Sequence, residues 1–317
     1  MLDPKLVRDI VAIVEETDVE IKLREAMRLT TRAQSGPIEA APRGDGTETE
    51  RSGPSRAEPS RSDPPQFDPS HDPSQSDPSR PEQSLSAASS RQGGSIRPGR
   101  PASWTIIPPG ELADRPKLGS TRGRYLLLHS VAHIELSAVE LALMAVADFP
   151  QQPGEYHRAM LQVAREEVIH TRMLLHRLRE LGCELGSDPV HLALFETASA
   201  HSDLPARLAV VPRILEARGL DVSERLRDGL IRAGDPESAA ILERIYRDEI
   251  GHVRTGTVWY REACAQRGID GEAYFLEMME KFRPRRGGIG PIDHDGRRSA
   301  GFTERELEGI TGNPSLS

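Results

Sequence analysis

The sequence predicts an all-α protein, a four-helix bundle with short accessory helices behind a disordered N-terminal linker. Three observations lead there. From Thr121 to about Arg283 the apolar residues recur at helical spacing, and no alternating run of useful strand length interrupts them. The breaks in that pattern, at Phe149-Pro150, Leu181-Gly182, Arg218-Gly219 and Ala233-Gly234, read as helix stops. Finally, 37% hydrophobic and 4% aromatic residues with 27 Gly and 25 Pro in 317 are too poor a mixture for one uniformly folded domain. A folded body must be averaged with a stretch that buries almost nothing.

Three regions follow in order. Residues 1–34 form an N-terminal helical segment: from Leu6 to Met27 the apolar Leu6, Ile10, Ile13 and Val14 alternate with acids, as on a surface helix. Residues 35–103 are dominated by Pro, Ser, Asp, Gln and Arg, a composition that cannot offset the entropy of ordering and reads as a disordered spacer. Its near-repeats Asp68-Pro69-Ser70, Asp72-Pro73-Ser74 and Asp77-Pro78-Ser79 are too short and polar for solenoid units. Residues 104–317 carry the bundle and a C-terminal extension. Its first helix runs from a cap at Ser120 or Thr121 to Phe149, and its second from Pro153-Gly154 to Leu181, stopped by Gly182. The third runs from Ser202 or Asp203 to about Arg218, and the fourth from Asp235-Pro236 to about Gln266. Short helical pieces, His191 to Ala200 and Ser223 to Arg232, fill the connections.

Charge and cysteine content narrow the class. With 41 Lys+Arg against 49 Asp+Glu the net charge is −8, and the run Arg283-Pro284-Arg285-Arg286 in a chain with four lysines is weak support for nucleic-acid binding. Two cysteines, Cys183 and Cys264, are too few for a disulfide framework, and the charged N-terminus does not resemble a signal peptide, so a cytoplasmic location is expected. The stretch YLLLHSVAHIELSAVELALMAVA could span a membrane by length, but His129, His133, Glu135 and Glu140 make a bundle core the better reading.

The chemistry lies in a Glu-x-x-His pair that occurs twice, Glu167 to His170 and Glu249 to His252. Residues three apart share a helix face, so each pair can aim a carboxylate and an imidazole at one point. Glu135 precedes Glu167 by 32 residues and Glu216 precedes Glu249 by 33, each in the helix before its motif. Four helices contributing Glu, Glu-x-x-His, Glu, Glu-x-x-His form the ligand set of carboxylate-bridged di-iron and di-manganese bundles. Four carboxylates and two neutral imidazoles offset most of two divalent charges and leave positions open for oxygen. On the first helix Glu135 shares its face with Leu128, Val131, Ala132, Ala138, Val139, Ala142 and Val146, whereas Glu140, about 140° away around the axis, is a lesser candidate beside His133, Leu136, Leu143 and Met144.

Each motif also has an acid four residues before its histidine, Glu166 and Asp248. A metal-bound imidazole usually donates its other N–H to a carboxylate, so Asp248 is expected to reach across to His170 and Glu166 to His252; the alternative is ordinary ion pairing with Arg165, Arg172 or Arg244. Tyr246, one turn before Glu249, belongs to the surrounding shell. Trp259 and Tyr260 follow His252 and read as packing before redox relays, His129 and His133 as bundle histidines before ligands, and His191 as a helix-start residue.

The segments AHIELSAVELAL, AREEVIHTRMLLHRLRELG, ARLAVVPRILEARGLDV and GDPESAAILERIYRDEIGHVRTGTVWY resemble, in order, hallmark segments of a bacterial ferritin-like family of unknown function. Pro98-Gly99-Arg100-Pro101 and Arg297-Arg298-Ser299-Ala300-Gly301-Phe302 extend the resemblance to about 98–310. It implies a ferritin-like bundle, distantly similar to the di-iron hydroxylases of tRNA and quinone modification, with Glu135, Glu167, His170, Glu216, Glu249 and His252 in the ligand places. The long Pro/Ser-rich insertion before the bundle departs from the family.

The expected protein is a di-iron oxidoreductase or oxygenase holding two Fe ions, with Mn as the other choice, that oxidises or hydroxylates a substrate through oxygen or peroxide. Its expected partners are that small-molecule or macromolecular substrate, an external reductant, since no nucleotide fingerprint or Cys cluster is present, and a second copy of the chain in a homodimer. No membrane partner is expected. Two other readings remain open: an iron- or manganese-handling, ferroxidase-like protein without an organic substrate, and a metal-free helical interaction module.

Overall fold

A computed structural model describes residues 2–35, 96–112, 117–282 and 291–312. Among them every regular element is helical, apart from a single parallel bridge between Ile106 and Val190. The chain starts with α1 (Pro4–Glu15) and α2 (Val19–Ser35), and the bundle follows as α3 (Thr121–Asp148), α4 (Gly154–Glu180), the short α5 (Ala193–Ser199), α6 (Leu204–Val210), α7 (Ala217–Arg232) and α8 (Pro236–Ala265). Between α6 and α7 the helix widens into a π turn, Val211–Glu216. Three shorter helices close the chain: α9 (Gly271–Lys281), α10 (His294–Ser299) and α11 (Glu304–Thr311). The described residues all fall in one compact unit.

The bundle pairs α3 with α4 and α7 with α8, while α4 meets α8 across the centre. Its helices begin where side chains satisfy their free N–H groups: Ser120 accepts from Gly123, and Asp235 from Ser238 with Pro236 at the first position. The α4 stop is Gly182, whose φ of 73° is the left-handed conformation a glycine adopts without strain. By length and hydropathy α3 alone among the described helices could span a membrane, yet most of that apolar stretch is buried.

Four expectations are corrected. The N-terminal helix is two helices, because the Asp18 side chain accepts from the Ile21 N–H and restarts the helix after Glu16. Nor does the pair sit loosely on the surface: α1 buries Ile10, Ile13 and Val14, α2 buries Leu23 and Ala26, and they pack on α3 and α4. Arg218-Gly219 does not end the third helix, which runs on to Arg232 and absorbs the piece expected at Ser223 to Arg232. A mid-helix glycine costs about 1 kcal/mol, which burial of Ala217, Leu220 and Leu230 outweighs. Lastly, residues 96–103 do not behave as spacer, since the Gly99 N–H donates to the Val14 carbonyl (2.9 Å) and Arg100 is buried. The remainder of the Pro/Ser-rich stretch, residues 36–95 with the Asp-Pro-Ser repeats, lies outside the described residues, as does the basic run at 283–286.

Candidate metal centre

Helical register brings the acid–histidine pairs together. The chain sets Glu135 on α3, Glu167 and His170 on α4, Glu249 and His252 on α8, and Glu216 at the last position of the π turn. Glu167 and His170 are wholly buried, Glu135 and His252 nearly so, and Glu249 is 9% exposed. One ligand atom each from Glu135, Glu167, His170 and Glu249 lies within 4.8 Å of the others, a spacing suited to one ion.

Both imidazoles turn Nδ1 toward these acids. His170 Nδ1 is 3.1 Å from Glu135 Oε2 and 3.2 Å from Glu167 Oε2. His252 Nδ1 is 3.2 Å from Glu249 Oε1 and 3.0 Å from Glu167 Oε1. Glu167 therefore spans the two histidines with its two oxygens, and the rings stand 5.7 Å apart between centroids. The contact of Glu167 Oε1 is off the line of a hydrogen bond, which leaves that buried oxygen without a hydrogen-bond partner.

The outer nitrogens are held by acids of the opposite motif. His170 Nε2 donates to Asp248 Oδ2 at 3.0 Å and His252 Nε2 to Glu166 Oε2 at 2.7 Å. Asp248 also accepts from Arg244 (2.7 Å) and Glu166 from Gln162 (2.5 Å), so the crossed pairs coexist with surface partners. Each acid is fixed in its anionic form. The bond to His252 holds Glu166 below its ordinary range, and for Asp248 burial pushes upward but the bonds from His170 and Arg244 outweigh it.

Carboxylates packed this closely away from water repel one another, and protons are one way to relieve that repulsion. Burial, then the Glu167 charge, raises Glu135, and burial, then Glu249 and Glu167, raises Glu216 well above the carboxylate range. Burial opposes protonation of both histidines. Bonds to Glu135 and Glu167 nevertheless lift His170, and the charges of Glu249 and Glu167 with the Glu166 bond lift His252. Cations in place of those protons would relieve the same repulsion.

Glu216 stands apart from the other five. It makes no hydrogen bond or ion pair among the described residues, and with His252 it borders a small cavity of about 40 Å³ between α3, α4, α6 and α8. The π turn sets that position: Pro212 has no N–H for the Leu208 carbonyl, and the widened turn absorbs the mismatch. The α8 backbone comes so close there that a Cβ on Gly256 would overlap the Pro212 ring. Behind it Arg213, fully buried, lies 4.2 to 4.6 Å from the ring centres of Tyr260, Phe275 and Phe302 and pairs with Glu306 at 2.7 Å. The sequence signal for this device is Pro212, a proline inside a helical run, which the sequence reading did not single out.

Two candidates are placed elsewhere. Glu140 is not on a solvent-facing side: it is as buried as Glu167, in an ion cluster with Lys22 and Arg100. Both acids of the first helix are buried, on different faces, because α1, residues 96–100 and Lys22 of α2 cover the side of α3 that carries Glu140. Tyr246 gives its hydroxyl to Asp293 (2.7 Å) rather than to any of the six acids and histidines. Trp259 packs edge-on against Tyr156, and Tyr260 donates to the Gly271 carbonyl. His129 accepts the Gly186 N–H, and His133 lies buried near His191 and Trp104.

Residues 74–308 match the model of a family described as "Protein of unknown function (DUF455)". An uncharacterized protein of Haemophilus influenzae is 36% identical over 217 residues, 65% of this chain and 73% of that protein. No solved structure matches.

Proposed function

The chain belongs to this family of unknown function, and we propose that it is a ferritin-like dinuclear metal protein, with iron as the metal, that activates oxygen or peroxide to oxidise a substrate. One observation carries the reading: two histidines present Nδ1 to a shared set of buried carboxylates while acids from the opposite motif fix both Nε2 atoms. Ion pairs formed for stability alone have no need of that crossing, whereas metal-ligating imidazoles do, because the outer carboxylate sets the tautomer and strengthens the ligand nitrogen. The partnerless Glu167 oxygen and the raised Glu135 and Glu216 fit the same set.

In this reading Glu135, Glu167, His170 and Glu249 would hold one ion, and His252 and Glu216 would be the ligands left for a second. Bound iron would supply one-electron redox chemistry toward dioxygen or peroxide. The chain's own residues do the rest. Asp248 and Glu166 keep a proton on each Nε2, the apolar walls of α3 and α4 exclude water, and Glu216 stands at the open side with its carboxylate toward the cavity. Electrons come from an external reductant.

A second reading, metal handling without an organic substrate, draws on the size of that cavity. About 40 Å³ is well below the roughly 150 Å³ that accommodates a benzene ring.

Elemental analysis of protein purified from its native host, beside a Glu167→Ala, Glu249→Ala variant, tests the site. About two Fe or Mn per chain, lost in the variant, is expected for this ligand set; negligible metal in both would leave a metal-free helical module. Oxygen consumption then separates the two metal readings: the oxidase consumes it in a single turnover of the reduced protein, the metal-handling protein only with excess Fe²⁺.

A further inference from the structure

The cavity beside Glu216 has a chemistry of its own. Leu141 and Ala145 of α3, Met160 and Val163 of α4, and Leu208 and Pro212 on the α6 side wall it with carbon. Its polar neighbours are few. Arg207 is taken up by Asp148 (3.2 Å) and the His201 carbonyl (2.9 Å), and His252 by its acids, which leaves the Glu216 carboxylate as the polar group without a hydrogen bond among the described residues.

A held water needs two to four polar partners, and this mostly carbon-lined pocket offers it little beyond one free carboxylate, so it favours apolar guests. The volume, about 40 Å³ in a partly open pocket, matches a diatomic molecule or a single noble-gas atom. An empty apolar space costs stability, and one larger side chain at Ala145 would fill it. The void also lies where the chain departs from regular geometry, because Val211, Pro212 and Glu216 of the π turn all border it.

We propose that this cavity is a binding site for a small apolar molecule of dioxygen size, delivering it through the bundle interior to the Glu216 side of the metal centre. The delivery role rests on the metal-centre reading above; binding of an apolar guest does not.

The probe is xenon, applied under pressure to crystals of the full chain and of two variants, Ala145→Leu to fill the space and Val163→Ala to enlarge it. The expected result is one xenon atom against Leu141, Met160 and Leu208, lost in Ala145→Leu and more fully occupied in Val163→Ala. In protein loaded with Fe²⁺ to equal content, oxidation by dissolved oxygen is slowed in Ala145→Leu. Ordered water in the cavity, no xenon at raised pressure, or xenon retained in the filled variant would overturn the site. Xenon lost from the filled variant with an unchanged oxidation rate would overturn the delivery role. A protein that binds no metal but shows the xenon pattern refutes the metal reading and the delivery role while sustaining the apolar site.

Discussion

Glu140 offers the sharpest test of how the structure divides its buried charges. It is fully buried, and Arg100 grips it with both terminal nitrogens, at 2.5 Å to Oε1 and 2.8 Å to Oε2, while Lys22 pairs with Oε1. Lys22 also donates to the Val14 and Gly99 carbonyls at 3.0 and 2.9 Å, so one ammonium ties α1, the segment after the Pro/Ser-rich stretch, and α3 together. Burial holds that ammonium below its ordinary range, which shows how little solvent it has to fall back on. Glu140→Gln keeps the shape and removes the charge, leaving two cations buried without an anion. Removing one partner of a buried ionic cluster costs about 3–5 kcal/mol, two to three and a half orders of magnitude in the folding equilibrium. Urea denaturation followed by the fluorescence of Trp104 and Trp259 measures the loss, and hydrogen exchange over residues 4–35 shows whether α1 and α2 detach first.

A triple change, Glu140→Leu with Lys22→Met and Arg100→Met, should by the same logic be neutral or stabilising, because no charge is left stranded. Metal content should be unaffected by either protein. A Glu140→Gln cost below about 1 kcal/mol with full protection of residues 4–35 would refute the clasp, since an exposed pair is worth that little. Loss of metal in Glu140→Gln would refute the separation of the two clusters.

Three further outcomes are expected. Gly99→Ala should detach α1 and α2 as Glu140→Gln does, because a Cβ there would overlap the Glu15 and Glu16 carbonyls, and raised proteolysis near residue 35 reports it. Gly256→Ala should cost about 1–3 kcal/mol by overpacking against Pro212 and should lower metal occupancy, read by calorimetry and elemental analysis, as the π turn is displaced. His133 gives a pH dependence: burial, then the charges of Arg100, His191, His129 and Lys22, push it from 6.5 down to about 3. It is neutral in both states above its unfolded pKa, so nothing is lost there. Below that, the unfolded chain takes up a proton the folded one refuses, and stability falls with pH, by about 2 kcal/mol near pH 5. His133→Leu should remove that part of the slope in urea midpoints compared at about pH 7.5 and about pH 5.

What the sequence disclosed was local. Caps at Ser120 and Asp235-Pro236 and the stop at Gly182 act within a few residues, so three of the four bundle helices fall within two residues of their expected ends. The doubled Glu-x-x-His and the acid before each glutamate are also helix-face relations, which is why the crossed pairing of Asp248 with His170 and Glu166 with His252 could be drawn before any coordinates. The environment of Glu140 was not local. Its partners lie 40 and 118 residues away, and no periodicity on α3 announces that α1 and α2 will cover its second face. Gly219 misled for the opposite reason: a glycine is a stop only when the chain takes up its left-handed conformation, and tertiary burial kept the helix going.

The near repeat of the sequence suggests two equivalent halves, and the structure makes them unequal. In the first half Glu135 reaches the His170 nitrogen at 3.1 Å from a regular α-helix. The matching Glu216 sits on a π turn, makes no such bond and borders an apolar void. A catalytic metal site keeps a position open for its reactant, and space for one lies on the Glu216 side. The inequality therefore assigns the halves different work in the proposed centre, the Glu135 side to retention of the ion and the Glu216 side to access. It also gives the C-terminal region a task at one turn: Arg213 inside its three rings, and Arg297 paired with Asp221 at 2.7 Å, hold the segment on either side of the π turn in place. Straightening would rotate Glu216 away from the void by roughly 100° per residue shifted. The accessory helices α9 to α11 are on this view what keeps one end of the site open.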